Sequence, residues 1–341
     1  MVTINDVAEK AGVSIKTVSR VINHEPHVRQ IVQDKVQEAI RQLGYKPNVS
    51  ARRLASARSF LLTLLYNNPN DSYVTSITGG ALSCSHDLGY GLLVESPQLE
   101  ESGELESGIG DAVLATLQRN HSDGVILTPP FADNEELVRF LRRKGVPLVT
   151  VGGRPGVNRI ANVLIDDAQA GYDITRHLID AGHKRIGFIS GVSAHCSSAM
   201  RQDGYTKALR EASIEIDPAL ITSGYFDYDR AMEQAARLLD LPQPPTAIFA
   251  CNDEMAAAVL AVAQQRQMQV PADLAIAGFD DTPFARAVWP QITTVRQPFA
   301  EMAAKAVQLL VEDIRNGRRL PDAPSDIYLP YELVVRGSTS A

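Results

Sequence analysis

Cysteine is scarce and scattered in this 341-residue chain. Cys84, Cys196 and Cys251 are odd in number and lack metal-ligand spacing, so neither a disulfide framework nor a zinc site organises the fold. Long hydrophobic runs are missing: no stretch approaches the ~20 apolar residues of a membrane span. The opening Met1-Val2-Thr3-Ile4-Asn5-Asp6 has neither the basic stretch nor the apolar core of a secretion signal. The expectation is a soluble cytoplasmic protein. Enzyme signatures are missing too, since there is no G-x-S-x-G nucleophile elbow and no Walker A phosphate loop. His195, Cys196, Ser197 and Ser198 put a base beside nucleophiles, but neighbours on one loop rarely meet with hydrogen-bond geometry, and a pocket-lining loop fits them better. His121, His177 and His183 show no i, i+4 pairing for a metal. No catalytic residue, cofactor or metal is expected.

Positive charge is also in deficit, with 33 Lys or Arg against 40 Asp or Glu and a net charge of -7. The average hides an asymmetry. Residues 1–58 carry a net charge of +5 and the remainder -12. A basic head therefore joins an acidic body. A local basic surface gains from releasing phosphate counterions, while the acidic body limits unspecific adhesion to nucleic acid.

What the head contains is a run of short amphipathic segments. Thr3 can cap a helix over Ile4–Ala11, with Ile4, Val7, Ala8 and Ala11 on one face, and Gly12 ends it. Ser14 caps a second helix from Ile15 to about Asn23, with Val18, Val21 and Ile22 inward and Ile15, Lys16, Thr17, Ser19 and Arg20 outward. Ala8 permits close approach, Gly12 the sharp turn, and Val18 fills the angle of a helix-turn-helix. Lys16 and Arg20 suit base edges, while Thr17, Ser19 and Asn23 are short donors suited to phosphate. A third helix from about Gln30 to Leu43 places Ile31, Val32, Val36, Ala39, Ile40 and Leu43 on one side, with Gly44 as its left-handed stop.

The segments Val2-Thr3-Ile4-Asn5-Asp6-Val7-Ala8, Ala11-Gly12-Val13-Ser14, Thr17-Val18-Ser19-Arg20-Val21-Ile22-Asn23 and Leu43-Gly44-Tyr45-Lys46-Pro47-Asn48 resemble the LacI/GalR family of bacterial repressors. The resemblance continues through Ser50-Ala51-Arg52-Arg53-Leu54-Ala55, which is similar to the family's hinge helix. There it implies that Leu54 wedges into the minor groove and that Ala51 and Arg52 lie against DNA. The family usually has a small residue where Arg53 stands. An apolar wedge unstacks a base step in exchange for a bent duplex that touches more protein. The DNA-facing set is then Thr3, Ser14, Ile15, Lys16, Thr17, Ser19, Arg20, Asn23, Tyr45, Ala51, Arg52 and Leu54.

From Ser59 onward, apolar runs alternate with helical patterns. Leu61–Tyr66, Gly91–Glu95, Gly124–Thr128 and Pro147–Val151 read as strands, followed by a second series near 162–165, 185–190, 247–250 and 274–279. Short continuous apolar strands between helices indicate parallel sheets covered on both faces. The fold class is thus a small all-α helix-turn-helix head plus an α/β core of two lobes. The domains are 1–47 (head), 48–58 (hinge helix or linker) and 59–341 (effector-binding and dimerisation core). Within the core the first lobe is assigned to about 59–157 and 283–298, the second to about 158–282 and 299–335. A solvated linker is the alternative for 48–58.

The core resembles the family's periplasmic-binding-protein-like domain in His177-Leu178-Ile179, Gly182-His183-Lys184-Arg185-Ile186-Gly187-Phe188-Ile189, Asn252-Asp253-Glu254-Met255-Ala256, Gly278-Phe279-Asp280-Asp281-Thr282 and Thr293-Thr294-Val295-Arg296-Gln297-Pro298. The resemblance implies Arg201, Asn252 and Asp280 as polar effector contacts, Phe226 as a stacking platform, and Gln297 closing from the opposite lobe. Tyr73, His195 and Ser197 complete the expected lining. Carboxylate and guanidinium offer convergent acceptors and donors to vicinal hydroxyls, and an aromatic face suits sugar C–H groups. Taken singly, an Asp after a strand also serves as a turn residue and Phe226 also suits a core.

The implied partners are near-palindromic operator DNA, a mono- or oligosaccharide effector and a second copy of the chain, because one short helix reads too few base pairs for specificity. Inducer release is implied by the resemblance. Two other classes fit the sequence less well. A solute receptor for transport needs a secretion signal and no basic head, and a sugar kinase needs a phosphate loop or a clear general base.

Overall fold

The computed structural model describes residues 2–22, 28–45, 58–68, 70–97, 108–156, 160–193, 195–317 and 325–340. The chain divides into two compact units, Met1–Phe60 and Leu61–Ala341. The expected DNA-facing residues Asn23, Ala51, Arg52 and Leu54, with nearly all of 48–58, lie outside the described residues.

In the first unit, α1 (Ile4–Ala11), α2 (Ile15–Ile22) and α3 (Gln30–Leu43) enclose a core of Val7, Ala8, Val18, Val21, Val36 and Ala39. Thr3 and Asp6 close the start of α1: the Asp6 carboxylate accepts the Thr3 N–H at 2.7 Å and its hydroxyl at 2.9 Å. That bonding holds the Asp6 carboxyl below its usual range. Gly12 ends α1 at φ +63°, and the Val13 N–H reaches back to the Ala8 carbonyl at 3.0 Å. Ile31 departs from the expected inner stripe and is 71% exposed. Its i+3 and i+4 neighbours are Asp34 and Lys35, both exposed, so it belongs to the outer face of α3.

The second unit holds two parallel sheets. The larger has strand order β11-β5-β4-β3-β1-β2, from β1 (Leu61–Leu65), β2 (Gly91–Glu95), β3 (Gly124–Leu127), β4 (Leu148–Val151), β5 (Ala161–Leu164) and β11 (Ser325–Tyr328). The smaller runs β7-β6-β8-β9, from β6 (Ile186–Ser190), β7 (Ile221–Ser223), β8 (Ala247–Ala250) and β9 (Ala275–Ala277). An antiparallel pair, β10 (Thr294–Arg296) with β12 (Glu332–Val334), joins the smaller sheet through bridges from Ala277 to Thr293 and Asp280 to Arg296.

This topology corrects the lobe boundaries. β5 pairs with β4, so it belongs to the first lobe, and so do the Phe299–Arg315 helix, which packs on β3, β4 and β5, and β11. Residues 283–297 belong instead with the second lobe: the Pro283–Ala287 helix packs on the Asp253–Gln265 helix. The first lobe is therefore 61–164 and 299–328, and the second 167–297 and 331–340. The chain crosses three times, near 165–166, 297–298 and 329–330. Glycines set the closest helix packing. A Cβ at Gly80 would lie 2.3 Å from the Ala300 carbonyl oxygen, seating the Asp71–Asp87 helix against Phe299–Arg315.

Candidate functional site

In the head, α2 carries its apolar Val18 and Val21 into the core and turns Ile15, Lys16 and Arg20 outward, with Ile15 50% exposed. Lys16 and Arg20 are one turn apart on that face. The Ser14 hydroxyl sits 2.9 Å from that of Thr17 and accepts the Thr17 N–H at 3.2 Å, so it fixes the start of α2. Thr3 donates its hydroxyl to the Asp6 carboxylate at the start of α1, and Tyr45 is half-buried against the head's core. Of the expected DNA-facing residues described, Lys16, Arg20, Ser19 and Thr17 share the outer helix with Ile15, while Thr3, Ser14 and Tyr45 frame it.

In the core, the carboxyl ends of strands from both sheets converge on one cleft, as open α/β sheets do. Its walls include Tyr73, His195, Ser197, Arg201, Phe226, Asp280 and Gln297, and it encloses about 530 Å³ counting the solvent in its mouth. Asn252 is the exception among the expected residues. It is fully buried as the cap of the Asp253–Gln265 helix, its side-chain oxygen accepting the Met255 N–H at 2.8 Å. Gln297 also differs from expectation: it follows β10 on the second lobe, and its amide donates to Asp280 Oδ1 at 2.7 Å rather than reaching across the cleft.

The electrostatic centre is Arg201. Its Nε donates to Asp167 Oδ1 at 2.8 Å and its Nη1 to the Cys251 carbonyl at 2.6 Å, with Asp280 Oδ1 3.9 Å away. The guanidinium also lies 3.7 Å over the Phe279 ring. Gly171 and Gly204 make this possible, since a Cβ at Gly171 would meet the Arg201 carbonyl oxygen at 2.5 Å and one at Gly204 the Ala168 oxygen at 2.1 Å. The two helices that carry Asp167 and Arg201 thus touch backbone to backbone. Burial raises the carboxyl of Asp167, and it pushes Asp280 up to about 7 against the lowering pull of Arg201 and Gln297. His195 is pushed down to about 4 by burial and by Arg201, so it is neutral at pH 7.

Asp280 and its neighbour Asp281 adopt φ of +107° and +55°, and Tyr225 and Phe226 adopt +57° and +59°. Such left-handed non-glycine residues are costly and collect at ligand sites. The Asp280 turn is anchored from behind by the fully buried Asp253, which accepts the Thr282 N–H at 2.6 Å and the Thr294 hydroxyl at 2.6 Å. Asn68, Asn70, Pro129, Gly152, Asp167, Phe299 and Met302 also line the cleft and were missed from sequence. Across the lobes, Asp133 accepts the Cys196 N–H at 3.0 Å at the start of the Cys196–Glu211 helix. Burial raises that carboxyl to about 6.

Phe226 is seated over Gly191, where a Cβ would fall 2.0 Å from the ring. Gly191→Ala is therefore expected to drive the ring out of its place and weaken ligand binding roughly tenfold to a hundredfold, the scale of an overpacking penalty. Calorimetric titration of the variant checks this, and wild-type affinity would remove Phe226 from the binding wall.

Residues 3–48 match the model of bacterial regulatory proteins of the lacI family, and residues 175–339 match a periplasmic binding protein-like domain. Catabolite control protein A of Priestia megaterium is 34% identical over 339 residues, covering 99% of each chain. The transcriptional repressor CytR of Escherichia coli K12 is 32% identical over 347 residues, covering 99% of this chain and 96% of its own. Among solved structures, the regulator CelR in complex with cellobiose matches with TM-score 0.73 and 31% identity, covering 99% of this chain and 100% of the other. The lac repressor dimer bound to operator and the anti-inducer ONPF matches with TM-score 0.75 and 26% identity, covering 100% and 99%.

Proposed function

The chain belongs to the lacI family of bacterial regulatory proteins, a family of DNA-binding transcriptional regulators rather than enzymes, and from that premise we propose that it is a repressor whose hold on an operator is set by a sugar bound in the cleft. The observation that carries the reading is the pairing, in one chain, of an outward Lys16/Arg20 helix with a cleft built around a buried guanidinium flanked by two carboxylates. Arg201 N–H groups and the Asp167 and Asp280 oxygens meet sugar hydroxyls, and Tyr73, Phe226 and Phe299 meet its C–H faces. A relative's complex with cellobiose supports this effector class.

Two copies pair so that each head reads half of a near-palindromic site, an arrangement supported by the lac repressor dimer on its operator. The hinge that the resemblance implies over 48–58, with Leu54 as its wedge, falls almost wholly outside the described residues. The effector changes the relative placement of the lobes, the heads lose register with the half-sites, and DNA is released. The coupling is reciprocal, so operator and effector weaken each other by one factor. The protein acts in the cytoplasm on the nucleoid. Among the described residues, no helix is long and apolar enough to cross a membrane.

Gel-shift titration with and without candidate sugars tests the reading, and sequence-independent binding unaffected by any of them would overturn it. Lys16→Ala or Arg20→Ala should cost about 1 to 3 kcal/mol on the cognate operator if the side chain makes a bidentate base contact. An equal loss on random DNA assigns it to phosphate instead.

A further inference from the structure

We propose that the cleft selects an uncharged effector, and that the carboxylates of Asp167 and Asp280 exclude ligands bearing a carboxylate or phosphate of their own. This rests on the sensor reading above and adds the charge class of what the site takes.

The charge on the walls is the first ground. Among the lining residues the ionisable cations are Arg201 and His195, and burial keeps His195 neutral at pH 7. Arg201 is matched before any ligand arrives: Asp167 accepts a hydrogen bond from its Nε, the Cys251 carbonyl accepts one from its Nη1, and Asp280 stands 3.9 Å from Nη1. Its plane is covered on one side by Phe279. Two of its five N–H groups are spent and the rest can point at oxygen, but its charge is already offset. An anionic oxygen entering there meets two acids for one cation.

The second ground is what stands behind those walls. Gly278 separates the cleft turn from Asp253, whose Oδ1 would be 2.4 Å from a Cβ at that position. Asp253 is bonded to Thr282 and Thr294, not to a cation. Asp133 flanks the His195 end of the cleft, with its Oδ1 buried and unbonded among the described residues. Arg154, beside Asp133, is exposed. The first lobe contributes the amide of Asn70, the phenol of Tyr73 and the apolar Pro129, Phe299 and Met302 to the lining. These groups hydrogen-bond or pack, and none of them neutralises an anion. The carboxyl of Asp280, raised to about 7, would take up a proton beside a bound anion, which caps its own share of the repulsion and leaves the larger share to Asp167.

The test uses the full chain and matched ligand sets: glucose with glucose 6-phosphate and glucuronate, and cellobiose with its phosphorylated and aldonic acid forms, measured by calorimetric titration at pH 7.5. At least one uncharged sugar is expected to bind, and its charged counterparts to bind about a hundredfold more weakly, the scale of like charges held a few ångströms apart. In Asp280→Asn that gap should narrow by up to about fourfold, the most a group protonating near 7 can contribute at pH 7.5, with folding of the variant verified by its thermal midpoint. A charged member that binds as tightly as its neutral parent overturns the inference and leaves the sensor reading standing. Binding by no member of either charge overturns the sensor reading, and the inference falls with it.

Discussion

Arg201→Ala is expected to abolish the effector response and to destabilise the core by about 3 to 5 kcal/mol, the cost of removing one partner from a buried ion pair. Arg201 is 5% exposed and is the cation for both Asp167 and Asp280, so its loss strands two acids away from water. It also removes the donor to the Cys251 carbonyl at the end of β8, which ties the arginine's helix to the neighbouring strand end. The head has its own core and is a separate compact unit, so operator binding without effector should persist below the melting temperature of the variant. A second variant separates packing from recognition. Arg201→Met combined with Asp167→Leu replaces the pair by apolar groups of similar size, which is often neutral or stabilising. It should recover much of the lost stability and none of the response. Urea unfolding and gel shift on both variants decide: a stable double variant that still releases DNA with sugar would make Arg201 a structural residue and move the binding site elsewhere.

The sequence made the local elements legible and the sheet membership illegible, for one physical reason. β3 and β8 sit where continuous apolar runs placed them, because a strand buried on both faces announces itself in four residues. Which sheet a strand joins is decided by distant chain. Ala161–Leu164 follows β4 and pairs with it, and Ser325–Tyr328 comes from the far end of the sequence to pair with Ala161–Leu164. β10 and β12 are three residues each and leave no run to read, and Ser-Asp-Ile-Tyr in β11 has little apolar character.

The cleft followed the same rule. Arg201, Phe226 and Asp280 were implied by the resemblance; Phe226 and Asp280 also follow strands, while Arg201 lies inside the Cys196–Glu211 helix. Asp167 was not legible, because its role depends on Gly171 and Gly204 letting two helices touch. Asn252 does not line the cleft, since an Asn after a strand serves equally as a helix cap and the helix takes its oxygen, while its buried amide nitrogen has no partner among the described residues.

Asp280→Asn is expected to stabilise the ligand-free core at pH 8 relative to pH 4.5 by up to about 4 kcal/mol, the free energy of an acid raised from 3.8 to about 7. Burial is the main cause and the charge of Asp167 adds to it, while Arg201 and Gln297 pull the other way. The folded chain thus holds this proton more tightly than the unfolded one. Stability from that proton is complete below about pH 4 and is lost as pH rises to 7, because unfolding in that window releases a proton. His195 has the opposite sign: depressed to about 4, it costs stability as pH falls below 6.5. The wild-type curve mixes the two, but the difference between wild type and variant isolates the acid. Asp133, raised to about 6, follows the sign of Asp280 and is common to both proteins. Asp253 is raised in part by the Asp280 charge, so the variant relieves it as well and the difference widens at high pH. Urea midpoints between pH 4.5 and 8 measure this, and parallel curves would place the Asp280 carboxyl in the ordinary acidic range. A sugar hydroxyl donating to the ionised carboxylate should lower its pKa, so effector binding near pH 6 should release a proton. Its affinity would then rise between pH 5.5 and 8 in the wild type and stay flat in Asp280→Asn, which ties the cost of this buried acid to the occupant that relieves it.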